Sequence, residues 1–236
     1  MPKILITEEI VTTFKSGCWE RVVFAEFAST LRSKEWPFPC IFGVNGFETG
    51  QLRFGFSVDA DATEIAEMLR MFLPRARSYG QNTSLVIFTA PQTVLSLEEY
   101  KVKFWNLLKA VSALDSVSWP QDIPTTIDDS HWEFCFNGEP IFVVCNTPAH
   151  VHRQSRRSST FMLTFQPRWV FDNILGNDKS ADLAFSKVRG RLKPYDFISA
   201  SPTLGRYGSK TNREFAQYFL EETNIMPKCP FANLRG

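Results

Sequence analysis

The chain has 236 residues, 44% of them hydrophobic, which is enough to bury one sizeable core. Charged residues make up 22% and the formal net charge is +1, so the basic excess of a nucleic-acid binder is missing. The Cys count is five, an odd number with no CxxC pair, which argues against a disulfide framework or a zinc ribbon and for free thiols in a reducing cytosol.

The N-terminal MPKILITEEIV has no apolar core of a signal peptide, and no apolar run approaches the roughly 18 residues of a membrane span. A cytoplasmic protein without a membrane segment is the expectation. Residues 1–35 read as helical and moderately amphipathic. The WPFPCIFG segment (36–43) then enters extended because of its prolines, and Cys40, Ile41 and Phe42 are expected to begin a short strand. Asn45-Gly46 is a turn signal. Leu52, Phe54, Phe56 and Val58 alternate with smaller or polar residues, the period of a strand with one buried face. Asp61-x-x-Glu64 starts a helix carrying Ile65, Met68, Leu69 and Phe72 at helical spacing.

SLVIFTA (84–90) is a continuous apolar run and reads as a strand buried on both faces. Ser96-x-x-Glu99 is a capping box before a helix striped with Tyr100, Phe104, Leu107, Leu108 and Val111. Trp132, Phe134 and Phe136 form a strand that turns at Asn137-Gly138 into a returning strand over 141–145. Thr160–Phe165 is a further strand, broken by Pro167, with helices expected near 168–175 and 181–192. Thr211-x-x-Glu214 reads as the cap of a last helix with Phe215, Phe219 and Leu220. The predicted architecture over 1–236 is one α/β (α+β) domain: a mixed central β-sheet with a hairpin, flanked by helices.

The common short motifs are missing: there is no GxGxxG, GxxxxGK[ST], HExxH or GxSxG. The three His are His131, His150 and His152. His150 and His152 are two apart and in extended chain point to opposite sides, which disfavours shared ligation of one metal. His150 stands apart by its company: it follows CNTPA and precedes Arg153, Arg156 and Arg157. Guanidinium groups keep such an imidazole neutral and able to ligate metal, and they bind carboxylates bidentately. The same run also reads as a solvated basic loop. The chain is 14% aromatic with 22 Phe, which suits either an aromatic core or a pocket for a flat ligand. One imidazole, cations for two propionates and flat apolar walls are the parts a haem needs, and the composition permits that reading without requiring it.

The stretches FPCIFG (38–43), FW (104–105), WP (119–120), WEFCFNGEP (132–140), CNTPAH (145–150), SR (155–156), FQPRWVF (165–171), YD (195–196), QYFL (217–220) and CPF (229–231) carry a resemblance. Along nearly its whole length the chain resembles the YqcI/YcgG family. The resemblance implies a haem-dependent N-hydroxylase acting on a guanidine nitrogen of arginine or an arginine-like compound. The resemblance implies haem b, O2 as co-substrate and an external electron donor. It implies His150 as the proximal iron ligand. It also implies Arg156, joined by Arg153, as the propionate cations, with Arg168 a further candidate.

A guanidinium substrate calls for a carboxylate. Glu133 and Glu139 in WEFCFNGEP are the expected ones, and Asp196 in YD is a third. Trp132 or Trp169 could stack on a guanidinium or a porphyrin. Competing readings are a non-catalytic haem-binding or gas-sensing protein, and a cofactor-free hydrolase or transferase built on Cys40, Cys135 or Cys145 with His150. Exposed aromatic faces would allow a homodimer.

Overall fold

The computed structural model of the chain describes residues 2–174, 178–205, 209–210 and 212–225. Helices α1 (Thr7–Thr13) and α2 (Trp19–Arg32) come first, followed by α3 (Ile41–Glu48) and strand β1 (Arg53–Ser57). Helix α4 (Ala62–Phe72), a single 3-10 turn and α5 (Ala76–Tyr79) lead to β2 (Leu85–Thr89) and the long α6 (Leu97–Ala113). The hairpin β3 (Phe134–Phe136) and β4 (Glu139–Asn146), strand β5 (Met162–Pro167), and helices α7 (Arg168–Ile174), α8 (Asp178–Tyr195) and α9 (Phe215–Tyr218) complete the order.

Local chemistry accounts for most of these boundaries. Asp61 caps α4 by accepting from the Glu64 N–H at 3.0 Å. Ser96 and Glu99 close a reciprocal capping box at α6, with bonds of 3.3 and 2.8 Å. At the β3–β4 turn Asn137 and Gly138 have φ of 53° and 75°, the two left-handed residues that a tight hairpin requires. Pro167 ends β5 opposite Ile141, beyond the last residue that pairs with β2, so its missing N–H costs no bond there.

The five strands lie in the order β1-β2-β5-β4-β3; β1 and β2 are parallel and the other neighbours antiparallel. The sheet is therefore mixed and flanked by helices. On one face Ile87, Leu163, Phe165, Val143 and Phe134 pack against α4, α6 and α9. Each such side chain withdrawn from water contributes roughly 1.5–3 kcal/mol. The other face behaves differently along its width. Over β1 and β2, Phe54, Val86 and Phe88 are covered by the aromatic residues of α1 to α3. Over β4 and β5 the same face forms the floor of a cavity.

The expected strand at 40–42 is a correction. Cys40 instead caps α3, its Sγ accepting from the Gly43 N–H at 3.3 Å, and Asn45-Gly46 lies inside the helix rather than in a turn. The reason is tertiary. A Cβ on Gly46 would stand 2.3 Å from the carbonyl oxygen of Asn82, so glycine serves close packing there. The last expected helix is also corrected. It is only the four residues of α9, and Glu214 turns its side chain away from a capping role. Thr211 and the CPF segment at 229–231 lie outside the described residues. Gly46→Ala should cost about 1–3 kcal/mol through overpacking, measured as a lower urea midpoint; an unchanged midpoint would contradict the packing described.

Candidate functional site

The cavity measures about 290 Å3, near the lower end of small-molecule pockets. Its floor is Phe142, Val144 and Asn146 of β4 with Met162, Thr164 and Gln166 of β5. These residues share a face because Phe142 pairs with Gln166, Val144 with Thr164 and Asn146 with Met162. Phe27 of α2, Cys40 and Phe42 at the start of α3, Phe171 of α7 and Phe185 of α8 supply apolar walls.

Charged groups gather at the two ends of the floor. Asn146 donates to the Ser155 carbonyl at 3.3 Å, which ties the 153–156 turn to one end. Arg168 directly follows Pro167 at the other end. Four residues of strand at roughly 3.3 Å each separate Asn146 from Phe142, a span of about 13 Å.

At the first end Arg153 and Arg156 line the cavity beside Asp196. The Asp196 carboxylate accepts from the Ser155 N–H and hydroxyl at 2.7 and 2.9 Å, and lies 4.0 Å from Arg153. Burial raises the Asp196 pKa, opposed by those Ser155 bonds and the two guanidinium groups. Arg153 donates to the Glu221 carbonyl and to Asn224. Arg156 is only 7% exposed and donates to the backbone carbonyls of Gln217 and Tyr218, at 3.0 and 3.4 Å. No ion pair with a carboxylate is formed by Arg156 among the described residues. Burial lowers its pKa to about 10, which leaves it cationic at neutral pH.

At the second end Arg168 lies between carboxylates. Its Nη1 donates to Glu214 at 3.1 Å, and its Nε stands 3.6 Å from Glu133. Both carboxylates are almost fully buried, and Glu214 lines the cavity. Desolvation drives the Glu214 pKa up to about 8, with Arg168 opposing and Glu133 reinforcing the rise.

The expected site residues divide accordingly. Arg153, Arg156, Arg168 and Asp196 are cavity groups. Glu133 stands behind Arg168, on the sheet face opposite Phe134 as its alternation implies. Glu139 pairs with Arg77 at 3.8 Å, and the Arg77 guanidinium covers Trp169 at 4.7 Å. That Glu139–Arg77–Trp169 cluster lies outside the cavity.

His150 also lies outside it. Its ring is 0% exposed. Nε2 is 2.7 Å from the Leu220 carbonyl, so it carries the proton, and Nδ1 accepts from the Thr147 hydroxyl at 2.9 Å. Both ring nitrogens are engaged in hydrogen bonds in this structure. The same bonds leave neither nitrogen for a thiol, which removes the support for a Cys/His pair. Burial lowers the His150 pKa to about 4; the Leu220 carbonyl opposes this and Arg156 adds to it. His152 is exposed and pairs with Glu222 at 2.7 Å.

Sequence reasoning missed two groups. Glu214 was read as part of a helix cap, and Cys40 was placed on a strand. The thiol of Cys40 lines the cavity; burial raises its pKa, and the N–H groups of Gly43 and Phe42 lower it. Cys135 and Cys145 are fully buried, Cys145 with a pKa raised by burial, as inert thiols are. Among the described residues no group of three or more His, Cys, Asp or Glu could hold a metal ion, and no helix is long and apolar enough to cross a membrane.

A five-stranded mixed sheet with a charged, Phe-walled cavity on one face defines the class of protein. The model of the YqcI/YcgG family matches residues 27–232, so the chain belongs to that family. It is 41% identical to YcgG of Bacillus subtilis (strain 168) over 227 residues, 92% of this chain and 90% of that protein. YqcI of the same organism is also 41% identical, over 92% of this chain and 89% of its own length. A protein of Streptomyces lavendulae named "Putative N(omega)-hydroxy-L-arginine synthase DcsA" is 31% identical over 96% of this chain and 89% of its own. No solved structure matches significantly.

The buried neutral imidazole has a consequence for stability. The unfolded chain protonates this His at its ordinary 6.5, the folded chain only at about 4. Stability is therefore full above that window and falls as pH drops through it, by about 3 kcal/mol in all. His150→Gln should flatten the loss, measured as urea midpoints at either end of the window. An equal pH slope in the variant would place the titration elsewhere.

Proposed function

We propose that the protein is a haem-dependent monooxygenase that hydroxylates a guanidine nitrogen of L-arginine or an arginine-like compound. The observation that carries this reading is the cavity, with cations at one end and buried carboxylates at the other, in a member of the YqcI/YcgG family. The 31% identity to the Streptomyces protein named for N-hydroxy-arginine synthesis supports the choice of reaction.

The residues fit a haem. Phe42, Phe142, Phe171 and Phe185 offer apolar walls for a porphyrin. Arg156, buried without a carboxylate partner among the described residues, suits a propionate, with Arg153 beside it. Among the described lining side chains, Cys40 and Met162 carry a sulfur donor. When bound, the haem would supply O2 binding and its reductive activation. The balance is one guanidine N–H and one O2, with two electrons and two protons, giving one N–OH and one water. An external donor is the source of the electrons.

The protein's own part is binding and charge. Glu214 is the carboxylate best placed for the guanidinium, because it lines the cavity whereas Glu133 stands behind Arg168. With its pKa near 8, Glu214 is mostly protonated at neutral pH. A bound guanidinium favours the carboxylate form, so substrate binding releases a proton. The apolar walls exclude water from the reacting nitrogen.

The test is to incubate the haem-loaded protein with L-arginine, O2 and a reductant, and to look for the N-hydroxylated product by mass spectrometry. Absence of product from arginine and from other guanidines would sink the reading. For Glu214 the KM should fall about tenfold per pH unit as pH rises toward about 8, then level off. Glu214→Gln should raise KM and abolish that dependence. A variant with the wild-type profile would remove Glu214 from the substrate site.

A further inference from the structure

We propose that Cys40 is the axial ligand of the haem, bound through its thiolate; this rests on the haem reading above. Among the described residues the lining side chains include no imidazole, and both nitrogens of His150 are held by hydrogen bonds to Thr147 and Leu220. Among the described lining residues two sulfurs are candidates, Cys40 and Met162. Met162 is a floor residue whose side chain packs into the aromatic cluster under α1 to α3. Cys40 stands on the wall, at the N-terminus of an eight-residue helix.

Burial raises the Cys40 pKa, and the groups that oppose it are the N–H groups of Gly43 and Phe42 and the guanidinium groups of Arg156 and Arg191. The Gly43 N–H already points at Sγ, 3.3 Å away. Donors of that kind and the positive end of a helix favour the thiolate form. A Cβ on Gly43 would lie 3.4 Å from Sγ, so the absence of a side chain there keeps one flank of the sulfur uncrowded.

A separate observation asks for negative charge in the same cavity. Arg153 and Arg156 are both buried; Asp196 acts on both, and Glu222 acts on Arg153 as well. Among the described residues Arg156 bonds to backbone carbonyls. A buried cation without a matching anion is costly. A thiolate-ligated haem with its propionates would supply the missing negative charge, whereas an imidazole ligand would add none. Thiolate ligation also suits the chemistry proposed, because it pushes electron density toward O–O cleavage.

The test uses the full chain loaded with haem, reduced and exposed to CO. The wild type should give the red-shifted ferrous–CO Soret band of a thiolate-ligated haem. Cys40→Ser should lose that band, and Cys40→His should move it to the position typical of imidazole ligation. His150→Gln should keep the wild-type band. Circular dichroism of each apo-variant establishes that it is folded. An imidazole-type band in the wild type, or a wild-type band in Cys40→Ser, would overturn the ligand while leaving the haem reading intact. A wild-type protein that takes up no haem would overturn both.

Discussion

The segment after β4 is held to the C-terminal part of the chain by hydrogen bonds onto backbone carbonyls, and the cavity exists because of that clasp. The ring of His150 donates to the Leu220 carbonyl, Arg153 to that of Glu221, and Arg156 to those of Gln217 and Tyr218. Buried carbonyls left without donors would cost about 1–3 kcal/mol each. The arginines thus satisfy the backbone of 217–221 and hold α9 against the sheet. Tyr218 reinforces the joint by donating to the Ile141 carbonyl at 2.9 Å and accepting from the Phe134 N–H. The strands on one side and the Glu214–Gln217 turn on the other are positioned together.

The charge that makes this clasp is only partly used by it. Carbonyl oxygens satisfy guanidinium hydrogens but do not cancel a full charge. Asp196 acts on both guanidinium groups and Glu222 acts on Arg153 as well, while at the other end two buried carboxylates share Arg168 as their close cation. The cavity is left with positive potential at one end and acidic capacity at the other. Both imbalances are of the kind that a zwitterionic or charged ligand relieves. The elevated pKa of Glu214 comes first from its burial, with the neighbouring Glu133 adding to it.

Much of the scaffold was legible in the sequence, because its signals are local. The alternation from Leu52 to Val58 marks β1, Asp61 and Ser96 mark helix starts by caps, and Asn137-Gly138 marks the hairpin. Helix α3 was not legible: the turn signal at Asn45-Gly46 competes with a packing demand from Asn82, far away in sequence. For the site, the arginines after CNTPAH were recognisable as a group. The hydrogen bond of His150 to Leu220 was not, since that partner is seventy residues away. Glu214 and Cys40 escaped for the same reason. Their importance comes from which face of the sheet is left unfilled, and strand order sets that, not any local pattern.

The central claim is that the cavity over β4 and β5 is the ligand's seat. Val144 lies in the middle of its floor, between the charged ends. The most direct measurement is a haem titration of Val144→Trp against the wild type, followed by absorbance, with thermal unfolding as the check on folding. The account predicts a folded variant that no longer takes up haem, because the indole occupies the porphyrin's space. A folded variant that binds haem as tightly as the wild type would contradict it and place the ligand elsewhere on the protein.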